Sequence, residues 1–206
     1  MNGLIYTIGH STHPIERFIA LLEAHGITAL CDVRSKPYSR MNSQFNREAL
    51  AKSLKSHDIA YVFLGQELGA RPEDSNCYFQ GKVNYEFLAQ SELFQRGIDR
   101  IMRGMESYRI ALMCAEKDPI MCHRTILISR RIQKCGVGVG HILGDGIVEM
   151  HDTVMNRLLK QLGFPKSDMF RSKRDILDAV YRIQGEKLAY SIVEHTPSLS
   201  HMTEHP

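Results

Sequence analysis

Ile110-Ala-Leu-Met113 is the stretch that most narrows what this chain can fold into. It is a short run of apolar residues of the kind a buried parallel strand shows. Asp118-Pro119 then makes a turn, and from Thr125 to Ile132 the apolar residues return at helical spacing, with Ile128 and Ile132 on one face. The order is strand, loop, helix. Open α/β sheets hold ligands at the carboxyl ends of their strands, so this loop falls where a site belongs. Cys122, His123 and Arg124 sit at the amino end of the helix, where unpaired N–H groups attract anions.

The same unit recurs along the chain. Leu4 to Ile8 reads as a first strand, Gly9-His10-Ser11-Thr12 as a turn, and Ile15, Phe18, Ile19 and Leu22 as one face of a helix that begins near Pro14 and stops at Gly26. Ser11 is a candidate cap for that helix. Ile27 to Val33 is a second strand, which releases Asp32, Arg34 and Ser35 at its carboxyl end. Asn46 is placed to cap a helix carrying Leu50 and Leu54, and Ile59 to Leu64 is a third strand. Gly65 to Pro72 reads as a loop, Tyr85 to Met105 as helical, and Gly136 to Leu143 as a fifth strand. Gly144-Asp145-Gly146 turns toward a helix starting near His151, and Lys173 to Val193 is a further helical stretch.

Strands and helices in this alternation predict a three-layer, Rossmann-like α/β fold with a mostly parallel sheet of about five strands flanked by helices. Residues 1–165 are expected to form the domain that carries the site, 166–194 a helical appendage packed on it, and 195–206 a mobile tail.

With 206 residues and 43% hydrophobic content, the chain can bury one substantial core. A formal charge of +3 does not announce nucleic acid by itself. Neither a secretory signal nor an apolar run of membrane-spanning length is evident, so a cytoplasmic protein without a membrane partner is expected. Five cysteines make an odd number, which argues for thiols rather than a disulfide framework. Cys31 and Cys135 read as core residues.

Several motifs carry a resemblance. Tyr6-Thr-Ile-Gly-His-Ser11, Asp32-Val-Arg-Ser35 followed by Pro37 and Ser39, Tyr61 with Leu64-Gly65 and Leu68-Gly69, and Cys114-Ala-Glu-Lys-Asp-Pro119 with Cys122-His-Arg124 recur in one pattern, joined by His141-Ile142 and Asp145-Gly146. Together they resemble the family catalogued as domain of unknown function 488. The resemblance implies a Rossmann-like parallel sheet and brings no settled reaction. Ala70 departs from it, standing where a second glycine is expected.

Three chemistries compete for these residues. A thiol phosphatase or sulfurtransferase needs an arginine about six residues after its cysteine. Ile120 occupies that place after Cys114, and Arg124 follows Cys122 by only two. A metal site would gather Cys114, Cys122 and His123, with His10 or His141 nearby, and these donors suit zinc or iron. An anion pocket would use Ser11, Arg34, Ser35, Arg71, Arg124 and His141 to hold a phosphate-bearing ligand, a nucleotide or nucleic acid, with Arg124 as its main anchor. Cys122, His123, Glu116, Asp32 and His10 would then be the catalytic groups. The anion pocket is the leading expectation, as an enzyme or as a non-catalytic nucleic-acid module, and the metal centre is its alternative. Lys36, Arg40, Arg47 and Lys52 would favour a polymeric nucleic acid if they lie beside the pocket.

Overall fold

The computed structural model describes residues 3–165 and 171–192. In chain order the elements are β1 (Leu4–Gly9), α1 (Ile15–Ala24), β2 (Ala29–Asp32), α2 (Arg47–Lys55), β3 (Ala60–Phe63), α3 (Gly65–Leu68), β4 (Tyr78–Phe79), β5 (Lys82–Val83), α4 (Tyr85–Gln90) and α5 (Glu92–Gly104). There follow β6 (Ile110–Cys114), a π-helical turn (Arg124–Ser129), α6 (Arg130–Lys134), β7 (Gly138–Ile142), β8 (Val148–Met150), α7 (His151–Gln161) and α8 (Lys173–Leu188).

The main sheet runs β3-β2-β6-β1-β7-β8. Its first five strands are parallel and β8 is antiparallel to β7. β6 is buried along its whole length, and its period-two alternation divides it between two cores. Ile110, Leu112 and Cys114 pack with Phe94, Ile98 and Ile101 of α5 and with Leu127, Ile128 and Ile132. Ala111 and Met113 pack on the opposite face with Phe18 and Leu22 of α1 and Leu50 and Leu54 of α2. Helices on both faces make the fold the three-layer α/β arrangement that the alternation implies. A third core joins Val154 and Leu158 of α7 to Ile176 and Val180 of α8, with Ile120 and Ile126 beneath them.

Some expectations are corrected. The short edge strand β8 and the β4–β5 ribbon are absent from the sequence reading. The long helix expected from Tyr85 to Met105 breaks at Ser91, whose hydroxyl accepts from the Phe94 amide at 3.2 Å and so caps a new helix. Gly65 begins a short helix rather than an open loop. α8 starts from a capping box between Ser172 and Asp175 and ends at Leu188; Val193 lies outside the described residues. Ser11 does not cap α1, whose N-cap is Pro14. Asn46 does sit at the N-cap of α2, but its side chain accepts from the Ser39 amide at 2.7 Å. Cys31 is buried as expected, whereas Cys135 is exposed. Residues 166–170 and the tail expected at 195–206 lie outside the described residues. Among the described residues, no helix is long and apolar enough to cross a membrane.

Candidate metal centre

The site is built where β6 and β1 end side by side, with Gly9 opposite Cys114 in register. Beyond Cys114 the chain makes a tight excursion. Asp118 accepts from the Ile120 amide at 3.2 Å and is gripped by Arg157 at 2.9 and 3.0 Å, and the 3-10 turn Pro119–Met121 sends the chain back. Cys122 thereby returns to the neighbourhood of Cys114. The excursion presses on β1: a Cβ on Gly9 would stand 1.9 Å from the Glu116 carbonyl oxygen, so only glycine fits there. Arg124, only 1% exposed, locks the arrangement. It donates to the Glu116 carbonyl at 2.8 Å, to the Lys117 carbonyl at 3.5 Å and to the Thr7 hydroxyl at 3.3 Å.

Inside this clamp the donors converge. The Sγ atoms of Cys114 and Cys122 and the Nδ1 of His123 all lie within 4.8 Å of one another. Nδ1 is 3.6 Å from the first sulfur and 3.8 Å from the second. Nε2 of His123 is 3.1 Å from the Val33 carbonyl oxygen just beyond β2. A carbonyl only accepts, so Nε2 carries a proton, and in the neutral ring Nδ1 presents its lone pair to the sulfurs. Glu116 completes the group: Cys114 donates its thiol to Oε2 at 2.9 Å, and Cys122 Sγ lies 3.0 Å from the same oxygen. The cysteines and His123 are buried, while Glu116 is an exposed residue whose carboxylate turns inward.

The electrostatics follow from three acidic groups around one point. Burial and then the charge of Cys122 raise the Glu116 carboxyl above its ordinary range. Hydrogen bonding with Cys122, burial and nearby negative charge push the Cys114 thiol well up. At Cys122 burial opposes ionisation, but Cys114, Arg124 and His123 outweigh it and hold the thiol well below the usual value. Burial likewise opposes protonation of His123, and the Cys122 thiolate overcomes it and raises the imidazole. Of the two thiols Cys122 is the more readily ionised, and full ionisation of the set calls for a cation.

Of the remaining expected residues, Asp32, Arg34 and His10 gather beside Phe45 on the opposite face of the sheet, while His141, two residues from Val139, shares the face of Cys114. Asp32 alternates with Val33, so its side chain points away from His123. It forms a buried pair with Arg34, at 2.6 and 2.9 Å, and accepts from Tyr61 at 2.8 Å. Arg34 also donates to the Phe45 carbonyl at 2.8 Å and lies 3.2 Å from Nε2 of His10, whose ring stacks on Phe45 at 4.3 Å. His141 is part of a buried chain: Thr7 Oγ1 at 2.7 Å, then His151 at 3.0 Å, then from His151 to the Tyr181 hydroxyl at 2.7 Å. Ser35 accepts from the Arg71 amide at 3.0 Å, and the exposed Arg71 guanidinium lies 4.6 Å over Tyr190. The expected residues thus fall into the Cys114 cluster, the Asp32–Arg34–His10 group, the His141–His151 chain and the Ser35–Arg71 contact. Arg34 and Arg124 are occupied by partners within the protein.

A family model described as Domain of unknown function DUF488 matches residues 14–130. The chain belongs to that family. Searches of curated proteins and of solved structures return no match. The region matched to DUF488 holds Asp32, Arg34, Cys114, Glu116, Cys122, His123 and Arg124; His10 and Ser11 precede it, and His141 follows it. In this DUF488 chain, the hydrogen-bonding roles of His151 and Tyr181 left no signal in the sequence, because bonds between distant segments leave no local spacing, and Thr7 stood in the motif pattern without a role. Tyr61 stood in the motif pattern without a role, and the structure places its hydroxyl on Asp32.

Proposed function

We propose that the protein holds a divalent transition metal, zinc or ferrous iron, between Cys114, Cys122 and His123, with the Glu116 carboxylate at the fourth corner. The spacing of the donors carries this reading. A tetrahedral ion with bonds of about 2.3 Å to sulfur and about 2.0–2.1 Å to nitrogen sets sulfur about 3.5 Å from nitrogen. His123 Nδ1 stands 3.6 and 3.8 Å from the two sulfurs. The second layer supports it as well. The Val33 carbonyl orients the imidazole, and Arg124 fixes the backbone of the loop that carries Glu116.

Three donors approach from the buried side and one from the accessible side. Glu116 is therefore the ligand that a water or substrate oxygen can replace, leaving its carboxylate beside the exchanged position as a base. Metal-assisted hydrolysis is the reaction class that fits this layout. Arg124 is then a tie for the metal loop and not the phosphate anchor expected from the sequence, because its guanidinium is turned inward onto carbonyl oxygens.

Elemental analysis of the purified protein tests the reading. About one zinc or iron per chain is expected, falling to background in Cys122→Ser and His123→Ala while Cys31→Ser retains it. Native protein that stays metal-free after dialysis against zinc and against ferrous iron would leave a cysteine–glutamate hydrogen-bond cluster, and the proposal would be wrong.

A further inference from the structure

Behind the metal centre lies a cleft of about 690 Å³, between the β4–β5 ribbon, α4, the π-helical turn, α6 and α8. Its size falls within the range of small-molecule sites. Tyr85 connects the two regions. It lines the cleft and packs against the core that holds Cys114 and Cys122.

The charges of the cleft are unequal. Lys82, Arg130, Arg131, Lys134 and Arg182 line it, against only Glu86 and Glu186. Both acids are engaged: Glu86 pairs with Arg130 at 2.5 Å, and Glu186 with Arg182 at 3.2 Å. Asp178 also binds Arg130, at 2.9 Å. Lys82, Arg131 and Lys134 have no acidic partner among the described residues. Among the described residues, Arg131 reaches only the Gln95 amide oxygen, at 2.8 Å, and its buried Nε finds no acceptor. Arg131 and Lys134 stand three apart on α6, so they share one face. Phe79, which is 60% exposed, and Tyr85 supply aromatic surface beside this positive group.

We propose that the cleft binds a nucleoside phosphate, with its phosphates on Arg131, Lys134 and Lys82 and its base against Phe79 and Tyr85. The cations suit phosphate oxygens through charge-assisted hydrogen bonds. The rings offer the flat surface on which any base stacks. The inference does not depend on the metal centre, since none of these residues is a metal ligand.

Isothermal titration of the full chain with adenosine diphosphate, and in parallel with inorganic pyrophosphate, tests it. The diphosphate nucleoside is expected to bind saturably and more tightly than pyrophosphate. The double variant Arg131→Gln, Lys134→Gln is expected to lose at least about tenfold in affinity, the equivalent of one charge-assisted hydrogen bond, with its melting temperature unchanged. Binding should persist in Cys122→Ser, which separates this site from the metal centre. No saturable binding at millimolar nucleotide, equal affinity in the double variant, or binding confined to oligonucleotides with a steep salt dependence would each overturn the proposal.

Discussion

At the scale of single residues, close approach and buried charge decide more than helix or strand preference. Gly9 is fixed by the carbonyl of Glu116, so Gly9→Ala must move either β1 or the loop that carries Glu116. A loss of about 1–3 kcal/mol is expected from chemical denaturation, together with weaker metal retention; an unchanged midpoint would show that the loop yields freely. Asp32 presents the other case. It is wholly buried and neutralises Arg34, so Asp32→Asn strands a guanidinium between Phe45 and His10. Breaking one side of such a pair costs roughly 3–5 kcal/mol. If Asp32→Asn unfolds at the native midpoint while metal content falls, Asp32 serves the metal centre and not the fold.

At the scale of elements, β7, β1 and α7 are joined through His141 and His151, and this joint sets an acid limit. Burial lowers the pKa of His151 from its ordinary 6.5 to about 4, and burial followed by the charge of His151 lowers that of His141 well below 6.5. Burial also takes His10 to about 4. A histidine whose pKa is depressed on folding is neutral in the native state, while the unfolded chain takes up the proton. Its contribution is therefore complete above pH about 6.5 and is lost as pH falls toward 4. Stability measured by denaturant across that window is expected to drop steadily, and His151→Gln should flatten the slope. A native slope of zero between these values would mean that the three imidazoles protonate without cost.

The same elements show what could be read from the chain and what could not. β6 and β1 were legible because strands buried on both faces leave continuous apolar runs, and the carboxyl-edge rule then placed Cys114, Asp32 and His10 together at one edge. The division of that edge was not legible. It follows from alternation at Asp32 and Val33, where a one-residue step sends the carboxylate to one face and the Val33 side chain to the core that holds Cys114 and Cys122 on the other. β8 escaped because three partly exposed residues at a sheet edge carry too little pattern. The π-helical turn escaped because Ile128 and Ile132 fit helical spacing without revealing the wider turn that begins at Arg124.

At the scale of the whole molecule, a bound metal would tie the carboxyl end of β6 to the loop that leads into the π-helical turn. An ion that binds only the folded state adds stability in proportion to its excess over its dissociation constant, about 4 kcal/mol at a thousandfold excess. For a chain of this size, that corresponds to a melting temperature roughly 8–16 °C above that of the chelated protein. Cys114→Ser and Cys122→Ser should melt at the chelated value and be insensitive to chelator; a chelator-dependent shift in either variant would place the ion elsewhere. The central claim is the ligand set, and X-ray absorption at the metal edge of the native protein reads it directly. Two sulfur scatterers at about 2.3 Å and two nitrogen or oxygen scatterers at about 2.0–2.1 Å are expected. A shell of oxygen and nitrogen alone would contradict the account, because it would leave Cys114 and Cys122 outside the coordination sphere.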